Sequence, residues 1–139
     1  YLALRAASGI RIAYGEREWN AIGVQRRIKT GTVDVIGLDP GRVEGITGFR
    51  KAAEICALNR RQANAHNFST AIVGAASQAL SFASPACYIL ELQPVYGEAQ
   101  KDLVDRPVWH TEGFVNLPNG PGLGIEINED LVQSARMDG

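Results

Sequence analysis

Four ionisable side chains, Glu16, Asp39, His66 and Glu91, each stand at or near the end of a short extended run: "IRIAYGE", "VDVIGLD", "QANAHNF" and "CYILELQ". A histidine can take and return a proton near neutral pH, and a carboxylate can orient that imidazole or hold a cation. Taken singly, Glu16 or Asp39 would cap a helix or loop, and His66 would be a satisfied core histidine. Their joint recurrence argues otherwise. The four residues are 23, 27 and 25 residues apart, a nearly constant beat that fits one strand, one helix and two loops. In a (β/α)8 barrel, about 30 residues per unit, such positions point into one bowl at the C-terminal ends of the strands.

The intervening segments supply the helices that this reading requires. "REWNAIGVQRRIK" has helical length and composition, and Phe49, Ala52, Ala53 and Cys56 repeat at i, i+3, i+4 and i+7 over a helix at about 47–59. Ile72, Ala75, Ala76, Ala79, Leu80 and Ala83 mark a third helix, with Ser69 or Thr70 as its N-cap. Strands alternating with helices predict parallel β/α units. Barrel strands are therefore expected near 10–16, 33–39, 62–68 and 87–93, in a partial barrel over 1–107. A strand-and-turn extension is expected over 108–139. The opening "YLALRAASG" is helical in pattern and lacks a methionine, so further sequence upstream is expected.

Composition narrows the function classes. The 139 residues are 45% hydrophobic, and 14 basic and 15 acidic residues are scattered without blocks. That balance offers no electrostatic footprint for nucleic acid or an anionic membrane. No run of about 18 apolar residues predicts a membrane span. Cys56 and Cys87 lack metal-ligand or CxxC spacing and read as reduced core residues, which points to the cytoplasm. "GERE" after the first strand is neither a dinucleotide fingerprint nor a P-loop. A small molecule is the expected partner. His110 reads as a surface residue, and Trp19 and Trp109 read as packing residues.

The segments "YGE" (14–16), "DPGRVEGITGF" (39–49), "NAHNFSTAI" (64–72), "YILE" (88–91) and "LPNGPGLGIEINEDLV" (117–132), in this order and spacing, resemble the C-terminal half of the barrel in the enolase superfamily. The resemblance is to its mandelate racemase and acid-sugar dehydratase branch and covers nearly the whole chain. It implies that Glu16 is the third of three Mg²⁺ carboxylate ligands. It further implies that Asp39 and His66 form an Asp–His dyad with His66 as general base, and that Glu91 hydrogen-bonds the substrate carboxylate. Proton abstraction beside a carboxylate would give an enediolate, and loss of a β-hydroxyl would make the enzyme a sugar-acid dehydratase, a lyase. Racemisation or epimerisation on the same scaffold is the alternative outcome.

This sequence departs from the pattern in two respects. Glu44-Gly45 stands where the family usually has a Gly-Gly pair. Only one of the three expected Mg²⁺ ligands is present, and the lysine-bearing strand and capping domain have no counterpart in these residues. Four β/α units alone would also leave two strand edges unpaired. The expected remedy is a missing N-terminal half or another copy of the chain, hence a homo-oligomer. A catalytically silent half-barrel that self-associates is the competing reading.

Overall fold

The computed structural model describes residues 1–93 and 97–137; the last two positions of the expected extension, 138 and 139, lie outside them. Helix α1 (Leu2–Ala7) precedes strand β1 (Ala13–Tyr14). There follow α2 (Ala21–Lys29), β2 (Val35–Leu38), α3 (Gly45–Leu58), β3 (Gln62–Ala65), α4 (Ala71–Ala83) and β4 (Cys87–Leu90). The strands form one parallel sheet in the order β1-β2-β3-β4, with β2 and β3 in register from Val35↔Gln62 to Leu38↔Ala65. This is the open half of a β/α barrel, as the sequence predicts.

Local chemistry sets the helix starts. The Asn20 side chain accepts the Gly23 N–H at 3.0 Å, and Arg26, Arg27 and Lys29 fill the last turn of α2, where cations favour the helix dipole. This cap places the start of α2 at Ala21, four residues later than the run beginning at Arg17 predicts. Thr70 caps α4 through the Val73 N–H at 3.3 Å. Helix α3 begins differently. Its N-cap, Glu44, is left-handed at φ 61° and makes no side-chain cap bond.

Strand alternation divides the sheet into two faces. Ile36, Leu38, Ala63 and Ala65 are fully buried and pack with Phe49, Ala52, Ala53, Cys56 and Leu80 of α3 and α4 into one core. The alanines of β3 let the helices approach closely, and Phe49 fills the space; its burial contributes about 1.5–3 kcal/mol. On α4 the buried set is Ala71, Gly74, Ala75, Ala76, Ser77 and Leu80. Ala83, expected on that face, is exposed because it ends the last turn. Tyr88 and Ile89 on the edge strand β4 are 57% and 55% exposed.

All four strands are shorter than the seven-residue runs predicted, at two to four residues. The ladder stops where the chain turns into the site loops. Gly15 shows why at β1: its φ is 151°, and a Cβ there would lie 2.7 Å from the Gly37 nitrogen. Only glycine permits that approach to β2.

The extension also differs from expectation. After β4 come α5 (Glu98–Lys101), turns, and α6 (Glu129–Ser134). In place of the expected strand, the described residues contain two isolated bridges, Val104↔Ile127 and Thr111↔Phe114. Gly122 and Gly124 at φ 62° and 71° bend the chain before Ile127 can extend a ladder. The segment is tied to α4 by the Gln78 side chain, which donates to the Asn116 carbonyl at 2.7 Å.

Candidate active site

The four predicted residues occupy equivalent places. Asp39, His66 and Glu91 are the first residues beyond β2, β3 and β4, and Glu16 is the second beyond β1. Parallel pairing puts all four at one end of the sheet. Three of them meet. His66 Nδ1 is 3.0 Å from Asp39 Oδ2, and His66 Nε2 is 3.1 Å from Glu16 Oε2.

Each member is placed by its element. Asp39 is only 3% exposed; its Oδ1 accepts the Gly41 N–H at 2.8 Å, which fixes the carboxylate against the turn that Pro40 initiates. The His66 N–H donates to the Leu38 carbonyl at 2.8 Å, so the ladder extends one bond past β3 and sets the ring beside Asp39. Phe68 stacks on the imidazole with centroids 5.4 Å apart. Glu16 is more open, with its side chain 42% exposed.

Both ring nitrogens of His66 face carboxylate oxygens. A neutral imidazole carries one N–H, so it donates to one of the two carboxylates and leaves its other nitrogen able to accept. Arg42 stands alongside, with Nε 3.6 Å from Asp39 Oδ2 and a terminal nitrogen 3.9 Å from Glu16 Oε2. Its one sequence signal is its place three residues after Asp39, too common a spacing to single it out.

Glu91 is half-buried at the end of β4, and among the described residues no hydrogen bond or ion pair joins it to the other three. The site therefore contains an assembled trio and one separate carboxylate. His110 is exposed, as expected, and stacks on Trp109. Trp19 and Trp109 correct the packing expectation: they are 65% and 56% exposed, since neither falls on a face that meets the core.

Mg²⁺ binds through one or two carboxylates in a near-octahedral shell and keeps several waters. Among the described residues no group of three or more His, Cys, Asp or Glu side chains converges to hold a metal. Glu16, the one expected ligand, directs Oε2 at the His66 ring. The described residues alone do not fit a Mg²⁺ site.

The family model described as "Enolase C-terminal domain-like" matches residues 1–131. The chain belongs to that family. Among curated proteins, this enolase-family chain is 30% identical over 139 residues to a D-gluconate dehydratase of Thermoproteus tenax, covering 99% of the chain and 28% of the relative. It is 28% identical over 145 residues to a D-galactarolactone cycloisomerase of Agrobacterium fabrum, covering 99% and 38%. A crystal structure of a mandelate racemase-like protein from Bordetella bronchiseptica RB50 superposes with a TM-score of 0.90 at 30% identity, covering 99% of the chain and 37% of that protein. The enolase-family chain thus spans roughly a third of these relatives' length, and it is homologous to acid-sugar dehydratases and to mandelate racemase-type enzymes. No described helix is long and apolar enough to cross a membrane.

Proposed function

We propose that this chain is the base-bearing half of an enzyme that removes the α-proton of a sugar-acid carboxylate, with dehydration to a 2-keto acid as the outcome. The observation that carries the reading is His66 held between Asp39 and Glu16 at 3.0 and 3.1 Å. In this reading the Nε2–Glu16 contact opens and Nε2 takes the proton as the C–H bond breaks. The electron pair moves into the carboxylate as an enediolate; as it returns, the Cβ–O bond breaks, the β-hydroxyl leaves as water with the proton that Nε2 took, and the resulting enol tautomerises to the 2-keto acid. Asp39 keeps the proton on Nδ1 and offsets the charge on the imidazolium. Glu91 would serve the substrate carboxylate, and Glu16 would be the one carboxylate of this chain offered to a Mg²⁺ ion, which would stabilise the enediolate oxygens.

Residues 1–107 form the barrel portion and 108–139 the segment returning towards a capping domain. The proposed setting is cytoplasmic, consistent with free thiols at Cys56 and Cys87. Dehydratase relatives and a cycloisomerase relative match this chain, so racemisation or another outcome on the same enediolate is the second reading. The exposed Tyr88 and Ile89 beside the open β4 edge favour a third for the isolated chain, a silent half-barrel paired with another copy.

The test joins the chain to a first barrel half and assays a panel of sugar acids with Mg²⁺. Turnover lost in His66→Asn is expected; turnover that survives it excludes His66 as the base. Sedimentation of the chain alone as a defined, inactive oligomer would establish the self-associating form.

A further inference from the structure

The geometry points to Arg42 as a positioning residue that clamps the two carboxylates flanking His66. Its side chain leaves the turn after β2, where its own N–H is bonded to the Asp39 carbonyl at 2.9 Å. The guanidinium then reaches back to Asp39 Oδ2 at 3.6 Å and across to Glu16, whose backbone carbonyl accepts from it at 3.4 Å and whose Oε2 lies 3.9 Å away. Asp39 and Glu16 are the two acceptors of the His66 ring nitrogens. Among the described residues, Arg42 is the one cationic side chain in contact with both; Arg17 reaches Glu16 alone, at 3.5 Å.

An exposed arginine near two carboxylates is often a weak surface pair. Two observations distinguish this one. Its partner Asp39 is 3% exposed, so the contact reaches the buried end of the site. The bond to the Glu16 carbonyl is made to backbone and ties the loop after β1 to the turn after β2. Strand β1 has only two paired residues, so the ladder itself restrains Glu16 poorly. The planar fork uses separate nitrogens, Nε toward Asp39 and a terminal nitrogen toward Glu16, a fixed spacing that the single nitrogen of an ammonium does not provide. Arg42 thereby fixes where Glu16 meets Nε2 and where Asp39 meets Nδ1.

The inference rests on the proposed role of His66, but its test needs no substrate. The full chain is prepared with ¹⁵N-labelled histidine, and the His66 ring signals are assigned by their absence in His66→Asn. The expected result is a slowly exchanging Nδ1–H in the wild-type chain that is lost to solvent exchange in Arg42→Ala, with Tm unchanged to within about 3 °C. Arg42→Lys should lose the same signal while folded. A retained Nδ1–H in either folded variant overturns the clamp, and Arg42→Lys carries the test if Arg42→Ala fails to fold. Absence of turnover in the completed enzyme would sink the catalytic reading and leave this result standing, and the converse holds equally.

Discussion

The imidazole of His66 and the carboxylate of Asp39 are locked together twice: directly, Nδ1 to Oδ2 at 3.0 Å, and through the backbone, where the His66 N–H is bonded to the carbonyl of Leu38, the residue before Asp39. In the proposed role of His66, this pairing carries the proton on Nδ1 and leaves Nε2 to accept. Asp39→Asn would keep the shape but remove the charge that supports an imidazolium. We predict that kcat of the completed enzyme falls by about 10²–10⁴-fold with KM little changed. Steady-state kinetics check this, and a rise in KM alone would assign Asp39 to binding.

Asp34 makes the fold sensitive to acid. Its carboxylate accepts from Arg5 at 2.5 and 3.1 Å and from the Ile12 N–H at 3.0 Å, with Arg61 at 3.4 Å. The Arg5 hydrogen bonds, then the Ile12 bond, hold its pKa below the usual 3.8. A depressed folded-state pKa gives stability that is complete above the unfolded value and lost as pH falls through the folded one. Thermal unfolding should therefore show stability declining below about pH 4. Asp34→Asn should be about 1.5–3 kcal/mol less stable at pH 7 and lack that part of the acid slope.

Glu44 carries backbone strain. A left-handed conformation at φ 61° costs a non-glycine residue about 1–2 kcal/mol. Glycine would relieve this but cost about 0.4–1 kcal/mol through a freer unfolded chain. Glu44→Gly should stabilise the protein by about 0.5–1 kcal/mol, read as a higher denaturation midpoint at constant m-value. An unchanged or lower midpoint would show that the charge at the start of α3 matters more than the strain.

Cys56 should be chemically silent in the native state. Burial pushes its thiol up to about 12, and the Cys87 thiol is raised for the same reason. The thiolate is the reactive form. A thiol reagent at pH 8 should leave Cys56 unmodified until denaturant is added, and labelling at the native rate of a free thiol would contradict its place in the core.

The helical half of the fold was legible because burial imposes a period. Phe49, Ala52, Ala53 and Cys56 repeat on one face, and all four lie in the core. The convergence of Glu16, Asp39 and His66 was legible because each follows a parallel strand at a regular interval. Glu91 obeys the same spacing, yet β4 is an edge strand with an irregular register to β3, and spacing says nothing about such shifts. Arg42 was hidden because a loop residue's reach depends on side-chain conformation. The missing strand in the extension reflects glycine-driven turns whose geometry a hydropathy pattern does not encode.

Ala63 and Ala65 have a consequence for the chain's evolution. Their methyl groups occupy the crowded centre of the helix-facing layer, while Asn64 and His66 alternate with them on the opposite face. Selection can exchange the side chains at the mouth of the sheet for new specificities, but enlarging either alanine would push the strand outward and carry the imidazole with it. Innovation here is confined to the rim, and the layer beneath it is held to the smallest residues that still fill it.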